Sequence, residues 1–247
     1  MRPVALFVTL TAAIAFVAGC SSPAGSSGIQ SKSGSQIVAA AVAATKHEKS
    51  FHYVENSGSG SSGVNIVGDV GTSTGEQRLT IHQGTQKGHV NILLAGGTAY
   101  FQGDVFGLEG FTGLSAKLSA GIAGKWISVP HTNKGFSDLA GSLAVKTAAA
   151  ALVQLSGTLT RGKTSTELGK PVVAVKASQS TSSGKLKLTM YVATTGPALP
   201  ILVEGTTQAS GSAARSISAR FSDWGEALHL TAPSAAVPIA SVQALAG

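Results

Sequence analysis

From Phe51 onward the chain alternates apolar and polar residues with a period of two. Val64, Ile66 and Val70 share one parity and Asn65 and Asp69 take the other. Leu79 and Ile81 alternate with Arg78, Thr80 and His82, and Val90, Ile92 and Leu94 follow, then Ala99 and Phe101. Turn-rich groups (SGSGSSG, GTSTG, QGTQKG, AGG) separate the runs. Successive side chains of a strand point to opposite faces, so this pattern predicts an antiparallel meander with one apolar face. The same signal returns later in Val173 and Val175, in Leu186, Leu188, Met190 and Val192 between Lys185, Lys187 and Thr189, in Ile201 and Val203, and in Ile217, Ala219 and Phe221 leading to Trp224. About ten strands are expected, with no internal repeat.

Two regions break the alternation. Ahead of Phe51, Ile37, Val38, Ala41, Val42 and Thr45 recur at helical spacing, and Ser35 is placed to cap that helix with its hydroxyl. In the middle, residues 104–123 and 136–153 carry apolar residues at helical or irregular spacing among many glycines and alanines, separated by a strand at 125–130. The fold class expected is α+β: a strongly curved antiparallel sheet, an incomplete barrel, with helices across its concave face.

An apolar sheet face must be covered, and here the cover is built from small residues such as LSAGIAG and TAAAALV. Small side chains fill little volume, so sheet and cover can leave a hollow, and apolar hollows stay dry and accept apolar ligands. Strand parity and the middle segments nominate Ile66, Leu79, Ile81, Ile92, Leu94, Phe101, Leu118, Ile122, Leu143 and Leu188 as its lining. A one-residue error in register would invert every strand assignment in that set.

The N-terminus adds location. Residues 1–19 have a positive charge at Arg2, an apolar run from Val4 to Val17 and a small-residue ending, which are the parts of a secretory signal. The ending Val17-Ala18-Gly19-Cys20 resembles the lipobox of bacterial lipoproteins and contains the chain's single cysteine. That resemblance implies cleavage before Cys20, a diacylglyceryl group on its thiol and an acyl group on its new amine. No other cofactor is expected. Two or three acyl chains would hold the protein on a membrane, whereas one binds only marginally. Residues 20–34 read as the lipidated cysteine and a flexible Ser/Gly tether, 35–235 as one ligand-binding domain and 236–247 as a tail. Without Arg2, 17 basic residues face 11 acidic ones, a balance that favours an anionic membrane surface. The basic residues are scattered, without the aromatic-rich cluster that nucleic-acid binding requires. A lone cysteine forms no disulfide within the chain, so packing must stabilise the domain.

Taken together, the lipobox, the tether, the helix running into SFHY, Lys125-Trp126-Ile127 and the ending Ser222-Asp223-Trp224 through Pro233 resemble the actinobacterial LppX/LprG-type envelope lipoproteins of LolA-like fold. The resemblance spans about residues 35–235. It implies a hydrophobic cavity for acyl chains, a lipid or glycolipid ligand carried or displayed on the outer face of the cell membrane, an envelope transporter as a possible partner, and no catalytic residue. A lipid-anchored scaffold or transporter partner with a filled core is the alternative.

Chemistry adds little. Gly71-Thr72-Ser73-Thr74-Gly75 matches G-x-S-x-G, but that nucleophile motif needs a strand-to-helix elbow and here it separates two strand-like runs. His47-Glu48 and His52 miss the H-E-x-x-H spacing by one residue, which points the imidazoles apart on a helix. His82, His89, His131 and His229 are dispersed, so neither catalysis nor a metal site is expected. Trp126 and Trp224 read as packing residues, and Lys185 and Lys187 as an outer solvated face.

Overall fold

The computed structural model describes residues 25–147, 157–181 and 184–246. Within them lies one large, curved, unclosed sheet of 12 strands with helices across it. Helix α1 (Gly34–His47) leads into the meander β1 (Ser50–Ser59), β2 (Ser62–Gly71), β3 (Gly75–Gln83), β4 (Gln86–Ala95) and β5 (Thr98–Gly103). Then come α2 (Val105–Thr112), α3 (Ala116–Ile122), β6 (Ile127–Pro130) and α4 (Phe136–Ser142). A second meander follows: β7 (Thr158–Glu167), β8 (Lys170–Thr181), β9 (Gly184–Ala193), β10 (Pro200–Ala209) and β11 (Arg215–Ser222). Strand β12 (Val237–Pro238) and a helix over Ile239–Ala246 end the described chain. The strand order is β12-β6-β5-β4-β3-β2-β1-β11-β10-β9-β8-β7. Hence β1 pairs with both β2 and β11, and it joins the two meanders antiparallel on either side. The short β12 runs parallel to β6.

Because paired residues point to the same face, register defines the rows that cross the sheet. One row runs Val90, Leu79, Ile66, Glu55, Ala219, Val203, Met190, Val175. Its neighbour runs Ile127, Phe101, Ile92, Gln77, Gly68, Tyr53, Phe221. All the described helices cover this face. Helix α1 contributes Ile37, Val38 and Ala41 to a cluster with Phe51, Val173, Val175 and Phe221. Leu108 of α2, Ile122 of α3 and Val242 of the C-terminal helix join Val90, Ile92 and Phe101 in a second cluster. Ile66 packs against both.

Glycine sets how closely the cover sits. Helix α2 is capped by Asp104, whose carboxylate accepts from Gly107 N at 2.7 Å and from His89 N at 2.9 Å. A Cβ on Gly107 would collide with the His89 backbone, and one on Gly88 would collide with Gly107. The helix therefore rests directly on β4, a separation that any side chain at either position would widen.

Several details depart from the sequence expectations. The cap of α1 is Ser33, in a reciprocal capping box with Gln36, and not Ser35. Two strands beyond the expected ten are present. Residues 25–33, expected in the flexible tether, are docked. Ser27 N donates to Thr194 O at 2.8 Å, Gly196 N to Gly25 O at 2.8 Å, and Ile29 is 1% exposed. Ile29 is the segment's single large apolar residue, and its burial explains the docking. Residues 237–246, read as a tail, supply β12 and a helix whose Val242 is buried in the core. Cys20 and residues 148–153 lie outside the described residues.

Candidate functional site

Between the apolar face and its helices lies a hollow in two lobes. The first has a volume of about 730 Å³. It is walled by Ile66, Leu79, Ile92 and Phe101 from the sheet, Phe111 from α2, Leu139 from α4, and Ile239 and Val242 from the C-terminal helix. The second, about 480 Å³, is walled by Phe51, Tyr53 and Glu55 of β1, Leu188 of β9, Val203 of β10, and Ile217, Ala219 and Phe221 of β11. Ile66, Gln77 and Ser142 line both.

A hydrogen-bonded crossbar stands at that junction. Gln77 Nε2 donates to the Tyr53 hydroxyl oxygen at 2.6 Å and to the Ser142 carbonyl at 2.8 Å. Ser142 is the last residue of α4, whose terminal carbonyls lack helical partners, so Gln77 both satisfies one of them and ties α4 to the sheet. The crossbar depends on Gly68, which lies between Tyr53 and Gln77 in their row. A Cβ there would come within 2.7 Å of the Tyr53 ring and 3.0 Å of Gln77 Cγ. The absent side chain is what lets the two polar groups meet.

Electrostatics separate the lobes. Tyr53 and Glu55 are the titratable side chains in the second, and no Lys, Arg or His is among its described lining residues. Burial raises the Glu55 pKa above the ordinary carboxylate value. Burial, helped by the Glu55 charge, pushes the Tyr53 phenol up as well. The folded chain thus holds the Glu55 proton more tightly than the unfolded chain does. The stability linked to that proton is full below the unfolded value and is lost as pH rises through the raised one. Glu55→Gln should therefore raise the Tm of lipid-free protein near neutral pH and leave it unchanged well below the carboxylate range. Thermal melts at the two pH values check this, and equal effects at both would contradict it.

Of the ten residues nominated from sequence, Ile66, Leu79, Ile92 and Phe101 line the first lobe, and Leu188 with Ile66 lines the second. Leu94, Ile122 and Leu143 are instead buried in the packed second cluster. Ile81 sits beneath Gly110 of α2, and Leu118 is half-buried on α3; neither lines a lobe. Sequence reasoning missed Phe51, Tyr53, Glu55 and Gln77, although Phe51, Tyr53 and Glu55 stand at i, i+2 and i+4 on one strand.

The remaining motifs are accounted for locally. Ser73 lies in the turn joining β2 to β3, and its neighbour Thr74 donates to Leu94 O at 2.8 Å. His52 Nδ1 pairs with Asp69 Oδ1 at 2.8 Å on the opposite face of the sheet from the hollow. His82 and His89 are exposed on β3 and β4, and Lys185 and Lys187 on β9. Trp224 packs against Phe51 in a tilted ring contact at 4.8 Å, and Trp126 lines a polar groove on the convex side with Asp69, Arg78 and His229. Among the described residues, no helix is long and apolar enough to cross a membrane.

These features define a sheet-and-helix container with a largely apolar, two-part interior. In fold, the chain is similar to LprF from Mycobacterium bovis, with a TM-score of 0.56 at 13% identity over 82% of this chain and 97% of that one. It also aligns with the Mycobacterium tuberculosis lipoprotein LppX, with a TM-score of 0.48 at 15% identity over 80% of this chain and 98% of that one. Both are mycobacterial lipoproteins of the LppX/LprG type that the sequence pattern resembles. No protein-family model matches the chain, and no curated protein sequence does.

Proposed function

We propose that this protein is a lipid-binding lipoprotein of the cell envelope, without enzymatic activity. It takes the acyl portion of a lipid or lipoglycan into the hollow and transfers or displays it from the outer face of the membrane, held there by acyl chains on Cys20. The two-lobed hollow carries the reading. Its volumes of about 730 and 480 Å³ are those of ligand sites rather than packing defects. The lining is mostly hydrocarbon, which supplies affinity through burial without directional chemistry. The likeness to LprF supports the fold on which this rests, and the lipobox-like ending at Cys20 supports the anchor. In this reading an envelope transporter is the partner for loading or release.

The test is direct. The full chain carrying Cys20→Ser, purified without its acyl anchor, is extracted with organic solvent and the extract analysed by mass spectrometry. Acyl lipid at about one molecule per chain is expected, and in cells the same substitution should release the protein from the membrane fraction. Protein that yields no lipid and takes up none from vesicles would end the carrier reading.

A further inference from the structure

We propose that Glu55 is the polar anchor of the bound lipid: its carboxylate accepts hydrogen bonds from a donor, a hydroxyl or an ammonium, that the ligand carries next to its acyl chains. This rests on the lipid-binding reading above and specifies the ligand.

Glu55 is a half-buried carboxyl on the interior, apolar face of the sheet. It is flanked in its cross-sheet row by Ile66 and Ala219, with Leu79 and Val90 beyond on one side and Val203, Met190 and Val175 beyond on the other. Between Val90 and Val175 the row is apolar apart from this one carboxyl. An acyl chain has no use for such a group, and even partial withdrawal of a carboxylate from water without a partner is unfavourable. No cation compensates it: the ion pair found among the described residues, His52 with Asp69, is on the other face. Its lobe contains no basic side chain among the described lining residues. A half-buried carboxyl set in an apolar row, with no cation beside it among the described residues, calls for an explanation, and a ligand donor supplies one.

The surroundings fit a polar contact. Tyr53 stands two residues away on the same face, and its oxygen already accepts from Gln77 Nε2 at 2.6 Å. Its own proton remains free to donate. Glu55 and Tyr53 thus offer an acceptor and a donor side by side on one wall. Phe51, Leu188, Val203 and Ile217 form apolar walls of the same lobe. A head group with a donor near the acyl junction could place that donor on Glu55 and its chains against the hydrocarbon. A sugar or glycerol hydroxyl and an amino group share this chemistry, and they differ in charge.

The experiment uses the full chain with Cys20→Ser and competitive displacement of a fluorescent fatty-acyl probe. Three competitors share one chain length: methyl palmitate, which has no donor, monopalmitoylglycerol, which carries hydroxyls, and hexadecylamine, which carries an ammonium. At least one donor-bearing competitor should bind about tenfold or more tightly than methyl palmitate, the scale of a hydrogen bond to a charged group. Glu55→Leu should erase that preference while methyl palmitate binds as before. Glu55→Gln, which keeps the shape and an acceptor, should retain part of a hydroxyl preference and lose an ammonium preference. That contrast tells the two sources apart. Equal binding of all three by the unsubstituted residue, or a preference that survives Glu55→Leu, overturns the anchor and leaves the carrier reading standing. Failure of the probe and every competitor to bind overturns both.

Discussion

Ile66→Trp should strip the protein of most of its lipid while leaving the fold in place. Ile66 lines both lobes and packs against both core clusters, but it is only half-buried, so one side of it faces empty volume. An indole has room to project into that volume, at the junction that the two lobes share. Each methylene denied its burial costs about 0.8 kcal/mol, so excluding two of them lowers affinity by more than about tenfold. Affinity for a fluorescent fatty-acyl probe should fall by about tenfold or more and the lipid recovered per chain should drop with it, with an unchanged far-UV circular dichroism spectrum. An undiminished lipid load would place the ligand elsewhere than in this hollow. Because Ile66 is remote from Cys20 in sequence and on the interior face, membrane fractionation should not change, which separates ligand binding from anchoring.

The architecture was legible where one face of a strand is buried. Val64, Ile66 and Val70, or Leu186 to Val192, carry a period-two signal because one parity meets hydrocarbon and the other meets water. Strand β7 was not legible, because its residues Thr158–Glu167 form a sheet edge that is exposed along most of its length. With little buried face, alternation has nothing to record. The two-residue β12 is too short for any pattern. The docking of Ile29 and of the C-terminal helix was equally hidden, since one apolar residue in a polar segment, or a short alanine-rich turn, does not announce what it will meet.

For the site, parity placed Ile66, Leu79, Ile92 and Phe101 on the face that the helices cover, but parity alone does not separate a cavity wall from a packed core. Leu94 shares strand and parity with Ile92. Yet Leu94 is absent from the linings of both lobes and Ile92 lines one, a difference set by where the helices happen to lie. Glu55 and Gln77 escaped for the opposite reason. A polar residue at an inward position looks like an outward one unless register is known, and Gly68, the glycine that joins Tyr53 to Gln77, reads as one more glycine among 31.

Phe51→Ala should produce the largest loss of stability and, unusually for a core truncation, one that lipid partly reverses. The Phe51 ring is 1% exposed and lies 4.8 Å from the Trp224 ring, 5.9 Å from Phe221 and 6.0 Å from Tyr53. Truncating a buried phenylalanine costs about 3–5 kcal/mol, which for a domain of this size lowers the Tm of lipid-free protein by about 10 °C. Phe51 is also a wall of the second lobe, so the space it leaves opens into the hollow instead of closing as an isolated void. Ligand present at about 100 times its Kd stabilises a folded state by about 2.7 kcal/mol. In the variant, the acyl chain also regains some of the contacts that the ring provided. Saturating lipid should therefore raise the Tm of Phe51→Ala by more than it raises that of the unsubstituted protein, in paired thermal melts. If the two increments are equal, Phe51 supports the core alone and the lobe ends short of it. If the variant gains nothing from lipid while the parent does, the ring itself is indispensable to the bound chain.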